Sequence, residues 1–120
     1  MKKLFLFSVI MFSTLFAFSQ TATIDGNKET MKNAVEKGVF EISMPSSVSI
    51  DDINKNKEYY TDYFTVDYND ANKLATITMV DNSAKSRRVI TRLLLSVGVK
   101  EVNVDGKDYT FNDFFNTFLQ

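Results

Sequence analysis

The stretch from Phe64 to Gly98, FTVDYNDANKLATITMVDNSAKSRRVITRLLLSVG, contains two strand patterns followed by a helix pattern. Phe64, Val66 and Tyr68 alternate with polar residues, a polar turn follows, and Leu74 begins a second run rich in β-branched residues. These two runs predict a β-hairpin. Apolar residues then recur at helical spacing up to Gly98, which predicts a helix with a glycine at its C-terminal end. The stripe of that helix consists of Val89, Ile90, Leu93, Leu94 and Val97.

Similar patterns lie on both sides of this stretch. Val39 to Met44 alternates between apolar and polar residues, which predicts a strand. Ser49 and Asp52 have the spacing of a capping box and predict a helix that runs to about Tyr60. Val99 to Val104 predicts a further strand. The chain therefore alternates strand, helix, strand, strand, helix and strand.

This order predicts the α+β class, with a ferredoxin-like split β-α-β-β-α-β antiparallel sheet over residues 39–109. Two extra helices are predicted outside this core. Residues 20–38 form a lead-in, flexible or weakly extended, and a short helix over 28–37. Residues 110–120 form a C-terminal amphipathic helix. Both helices of the core are expected on one face of the sheet, and the extra helices are candidates to cover its other face or to extend an edge.

The segments from Phe64 to Gly106 resemble heavy-metal-associated domains, which are small ferredoxin-like carriers of copper and zinc. The resemblance lies in Phe64-Thr-Val-Asp-Tyr, in Leu74-Ala-Thr-Ile-Thr-Met, in a helix ending Ser96-Val-Gly98, and in Val99-Lys-Glu-Val-Asn-Val104. It extends loosely back to Phe40. The resemblance implies a ferredoxin-like fold and an origin among metal-handling proteins.

The chain departs from that family at its metal-binding motif. The family has a Met followed by a Cys-x-x-Cys loop after the first strand, whereas this chain has Met44-Pro45-Ser46-Ser47. Serine lacks the soft thiolate that holds Cu(I) or Zn(II). Met44 is the one residue left as a candidate metal ligand, and its alternative role is packing. We therefore expect no metal site and no cofactor.

The first nineteen residues have the pattern of a signal peptide. Met1-Lys2-Lys3 is positively charged, Leu4 to Phe18 is an apolar run too short to span a bilayer comfortably, and Ala17-Phe18-Ser19 has small residues at the positions that a signal peptidase recognises. We expect cleavage before Gln20 and a periplasmic or secreted protein without a stable membrane anchor. An uncleaved anchor is the alternative.

The composition excludes several kinds of chemistry. The 120 residues include no Cys and no His, so thiol nucleophiles, Ser-His pairs and imidazole or thiolate metal sites are all excluded. No constellation of acids and bases points to catalysis, so we expect no enzyme. The formal net charge is −1, and removal of residues 1–19 takes away two lysines and no acid. An acidic chain of this kind is not expected to bind nucleic acid.

Two sets of residues are candidates for binding. Lys85, Arg88 and Arg92 are predicted on one side of the helix before Gly98, where they could receive an anionic ligand, an acidic partner or lipid head groups. The alternative is a solvated helix face. The second set lies in the C-terminal helix, which either docks as core or is presented to a partner or a second copy. That set consists of Phe111, Phe114, Phe115 and Phe118.

From the sequence we therefore predict an exported, non-catalytic binding or interaction domain. A degenerate heavy-metal-associated protein that handles metal through non-Cys ligands is the alternative.

Overall fold

The computed structural model describes residues 20–120. The predicted signal peptide over residues 1–19 lies outside the described residues and stays a prediction. Within the described part of the chain, no helix combines the length and the apolar character needed to cross a membrane.

The described residues form an α+β structure with one six-stranded sheet. The strands are β1 (Thr21–Ile24), β2 (Val39–Ser43), β3 (Phe64–Asn69), β4 (Leu74–Met79), β5 (Glu101–Val104) and β6 (Lys107–Tyr109). The helices are α1 (Lys28–Lys37), α2 (Ile50–Lys57), α3 (Ala84–Ser96) and α4 (Phe111–Phe114). A 3-10 turn, Glu58–Tyr60, extends α2, and a π-helical turn, Phe115–Leu119, extends α4.

The helices begin where the local signals predict. Ser49 and Asp52 form the reciprocal capping box, with the Ser49 hydroxyl accepting from the Asp52 N–H at 3.1 Å and the Asp52 carboxylate accepting from the Ser49 N–H at 3.2 Å. Ser83 caps α3 and Thr110 caps α4 through the hydroxyl alone, each accepting from the backbone N–H three residues on. Gly38 ends α1 in the left-handed conformation, at φ 72°.

The strand order is β3-β4-β2-β1-β5-β6, and the sheet is mixed. The predicted hairpin of β3 and β4 is confirmed, with Val66 opposite Ile77. The expectation of a wholly antiparallel sheet is wrong, because β1 runs parallel to β5 while it pairs antiparallel with β2. The lead-in before α1 is accordingly not a flexible segment. It contains an interior strand whose Ala22 and Ile24 are buried.

All the buried strand residues lie on one face of the sheet. The register places Ile24 beside Val104 on β5, and it pairs Phe40 with Ile77 between β2 and β4. These side chains share one hydrophobic core with residues of all four helices and of the π-helical turn. The opposite face of the sheet, which we call the outer face, carries mainly polar side chains. The extra helices therefore pack on the same side as α2 and α3, and no described element covers the outer face.

Candidate functional site

The predicted cationic side of α3 is present on the surface. Lys85, Arg88 and Arg92 are all exposed, and they follow one another at intervals of three and four residues along the 13-residue helix. The apolar residues of the same helix, such as Ile90 and Leu93, are buried against the sheet. We call Lys85, Arg88 and Arg92 the basic ridge. Because α3 has no acidic residue, the ridge has no neighbour of opposite charge on its own helix.

Arg88 is held in place by the C-terminal segment. Its guanidinium carbon lies 4.9 Å from the centroid of the Phe115 ring, and its Nη2 lies 3.5 Å from Oδ1 of Asn112. Among residues 20–120, the one ion pair is between Lys73 and Asp70, so none of the three ridge cations is neutralised by a described carboxylate. The ridge is therefore a row of exposed positive charges with one member oriented by an aromatic ring.

Arg87 is buried, unlike the exposed Arg88 that follows it. Its Nε donates to the carbonyl oxygen of Leu119 at 2.7 Å, and its Nη1 donates to the backbone carbonyl and the side-chain oxygen of Asn82 at 2.8 and 2.9 Å. Asn82 in turn donates from Nδ2 to the carbonyl of Val35 in α1, at 2.7 Å. Arg87 therefore joins α3, the C-terminal segment and, through Asn82, helix α1. It is a structural residue and not part of the ridge.

The C-terminal aromatic residues are part of the core. Phe114, Phe115 and Phe118 are buried, and Phe111 is half-buried against the same core. Phe118 makes an edge-on contact with Tyr109 at 5.1 Å between ring centroids. Of the two readings of this helix, docking as core is the one that the burial supports. It docks between α1 and α3, and not on the outer face of the sheet.

The loop that begins at Met44, where heavy-metal-associated domains have their metal-binding motif, is closed by hydrogen bonds. The Met44 side chain is buried in the core, and its N–H donates to the carbonyl of Lys73 at 2.7 Å. The Tyr68 hydroxyl and the Lys73 ammonium each donate to the carbonyl oxygen of Val48 at 3.3 Å. Among residues 20–120, no three His, Cys, Asp or Glu side chains are grouped so that they could hold a metal ion. Met44 therefore packs as a core residue.

Tyr68 and Lys73, the two side chains that donate to this loop, both keep their protons at neutral pH. Burial raises the pKa of the Tyr68 phenol. The hydrogen bond to Asp70 raises the pKa of the Lys73 ammonium, and the Nζ of Lys73 lies 2.9 Å from the Asp70 carboxylate. This arrangement fixes the loop over residues 44–49.

Two grooves flank α1. One, of about 770 Å³, lies between α1 and the C-terminal segment, and its walls include Lys32, Val35 and Phe118. The other, of about 340 Å³, lies between α1 and the strands β1 and β2. The charged residues that line both grooves are exposed side chains, with cations and carboxylates mixed. Neither groove gathers the convergent polar groups of a ligand site.

The outer face of the sheet is a candidate binding surface that was not among those predicted from the sequence. Asp67 on β3 and Glu41 on β2 both lie opposite Thr76 on β4, so the three residues form one row across the strands. Both carboxylates are exposed. The alternation of polar and apolar residues within each strand indicates this face from the sequence, because it places the polar residues on one side of the sheet and the apolar residues on the other.

Comparison of this chain with protein-family models, with curated proteins and with solved structures finds no match in any of the three.

Proposed function

We propose that this protein is an exported, non-catalytic interaction domain that binds an acidic partner through the basic ridge of α3. We further propose that its core derives from a ferredoxin-like unit. The succession β2-α2-β3-β4-α3-β5 agrees with such a unit, and β1 is an added strand that separates β2 from β5.

The ridge is the observation that carries the proposed function. Lys85, Arg88 and Arg92 project from one helix that has no acid of its own, and no described carboxylate pairs with them. Exposed charges of one sign attract a partner of the opposite sign over distances of about a Debye length, roughly 8 Å in physiological salt. The packing of Arg88 against Phe115 reduces the freedom that this side chain loses on binding.

A binding measurement with a defined acidic probe tests the proposal. A fluorescent polyglutamate peptide is titrated with the purified protein, and its anisotropy is recorded at low and at high salt. We expect binding that weakens as salt rises. The variant Lys85→Gln/Arg88→Gln/Arg92→Gln should bind at least about tenfold more weakly, since three charge contacts are lost.

The matched control is Lys28→Gln/Lys32→Gln/Lys37→Gln, which removes three exposed cations from α1. It changes the net charge by the same amount but alters a helix that also carries Glu29 and Glu36. We expect it to bind the peptide within about twofold of the unmodified protein, because the α1 cations lie beside acids of their own helix. Equal losses in the two triple variants would show that only net charge matters and would refute the proposal.

A further inference from the structure

The outer face of the sheet is wide and polar, and no element within residues 20–120 covers it. Fourteen strand residues point outward by the register of the six strands, and five of them are threonines. The same set contains four carboxylates and no lysine or arginine. The four are Glu41, Asp67, Glu101 and Asp108.

The two charged surfaces lie on opposite sides of the molecule. The apolar residues of α3 pack into the core on the inner face of the sheet, so the basic ridge points away from the sheet. The outward carboxylates lie beyond the sheet on the other side. The ridge and the outer face of one chain therefore cannot meet each other, whereas those of two chains can.

The spacing of the charges on the two surfaces agrees. Asp67 and Glu41 lie in one row with a single strand between them, which places their Cα atoms about 9.6 Å apart at the usual strand separation. Lys85 and Arg92 are seven residues apart on α3, which corresponds to about 10.5 Å along the helix axis. A helix laid across the strands would thus bring each terminal cation of the ridge over one carboxylate of the row.

We propose that the acidic partner of the basic ridge is the outer sheet face of a second copy of this chain. This inference rests on the proposed function and identifies its partner. The two surfaces are different, so the contact is head-to-tail, and a pair of copies keeps one ridge free on one copy and one outer face free on the other. Association therefore continues into short chains of molecules as the protein concentration rises.

The size of the face sets the strength of this contact. Six strands at the usual spacing span about 24 Å, and about four residues of each strand add about 13 Å, so one partner buries on the order of 300–400 Å². Interfaces of that size are weak and transient. The contact depends on exposed charges, so it should weaken as salt rises.

Sedimentation velocity of the purified protein tests the inference. We expect the weight-average sedimentation coefficient to rise with concentration at low salt and to fall back to the monomer value at about 0.5 M salt, where screening is nearly complete. Two double charge reversals then separate the surfaces. Glu41→Lys/Asp67→Lys makes the row that faces the ridge basic, and Lys85→Glu/Arg92→Glu makes the ridge acidic while it leaves Arg88 on Phe115.

Each reversed protein alone should sediment as a monomer, because its ridge and its row at positions 41 and 67 then have the same sign. An equimolar mixture of the two should associate again, because each surface of one variant meets the opposite charge on the other. The control Lys28→Glu/Lys32→Glu carries the same charge change on α1 and should associate like the unmodified protein. Circular dichroism of every variant shows whether the fold is kept.

Failure of this inference can be told apart from failure of the proposed function. If the unmodified protein stays monomeric at low salt but its ridge still binds the polyglutamate peptide, the second copy is not the partner and the proposed function stands. Association that salt does not weaken, or that the mixture does not restore, would also overturn the inference. If the unmodified protein neither self-associates nor binds the polyglutamate peptide, both the proposed function and this inference are overturned.

Discussion

The side chain of Arg87 donates a hydrogen bond of 2.7 Å from Nε to the carbonyl oxygen of Leu119, the penultimate residue of the chain. This contact joins α3 to the end of the π-helical turn, where backbone carbonyls have no partner within the helix. A cation at this position also interacts favourably with the helix dipole. The C-terminal segment thus owes its position both to its aromatic residues and to one buried arginine.

Replacing Arg87 by methionine should destabilise the protein by about 2–3 kcal/mol. The carbonyl of Leu119 and both oxygens of Asn82 lose their charged donor, and leaving the buried Leu119 carbonyl unpaired costs more than the apolar contacts of Met recover. Urea unfolding measures the change. Arg88→Met is the control, and because Arg88 is exposed it should cost less than about 1 kcal/mol. Equal costs for the two variants would contradict the role given to Arg87.

Replacing Phe114 by alanine should cost about 3–5 kcal/mol, because its ring is almost fully buried and its removal leaves a cavity. Asn116→Ala alters an exposed neighbour and should change stability by less than about 0.5 kcal/mol. Thermal unfolding at fixed protein concentration compares the two. A Phe114→Ala protein as stable as the unmodified one would show that the C-terminal helix is not part of the core.

Replacing Tyr68 by phenylalanine should destabilise the protein by about 0.5–1 kcal/mol. The substitution removes the 3.3 Å hydrogen bond to the Val48 carbonyl and keeps the buried ring, while Lys73 still donates to the same oxygen. Tyr59→Phe is the matched control, since Tyr59 is 75% exposed. A larger loss for the Tyr59 variant would contradict the proposed closure of the loop over residues 44–49.

Lowering the pH should destabilise the start of α3, because it protonates the Asp81 carboxylate. Hydrogen bonds from the hydroxyls of Ser86, at 2.7 Å, and Ser83, at 2.9 Å, lower the pKa of the Asp81 carboxyl below its ordinary value. A lowered pKa in the folded state means that the carboxylate stabilises the fold above pH of about 4 and that this contribution is lost as pH falls further. We expect Asp81→Asn to be less stable than the unmodified protein at pH 6, with the difference shrinking toward pH 3.

The titration of Asp81 can be followed directly by NMR. Ser86→Ala removes the stronger of the two donors and should move the pKa of Asp81 back up toward its ordinary value. Ser96→Ala removes a hydroxyl at the far end of the same helix and should leave the Asp81 titration unchanged. An Asp81 pKa that does not respond to Ser86→Ala would refute this account.

The helix boundaries and the hairpins were predictable because local chemistry specifies them. The capping box of Ser49 and Asp52 satisfies backbone donors within four residues, and no distant partner is needed. The turn between β5 and β6 is also specified locally, since Asp105 and Gly106 both adopt positive φ, at 54° and 79°, as a tight hairpin requires.

The candidate site was predictable only in part. The exposure of Lys85, Arg88 and Arg92 follows from their position opposite the apolar stripe of α3. Arg87 lies three residues before Ile90 and seven before Leu94, and in the structure it is buried on the same side of α3 as these two residues. A charged residue at this buried position could not be predicted from the sequence. Its hydrogen-bond acceptors, in Asn82 and Leu119, are brought to it by the fold.

The sequence by itself determined the α+β class, the position of each helix and the alternation that makes every strand two-sided. Those properties depend on neighbours within a few residues. Only the tertiary structure decided that Thr21–Ile24 lies in the sheet between β2 and β5. This strand pairs with a segment about eighty residues away, and the sequence of four residues does not specify which strand it pairs with. The tertiary structure also decided that the C-terminal aromatic residues would pack beside α1 and α3. Within residues 20–120, that choice left the acidic outer face of the sheet uncovered, opposite the basic ridge.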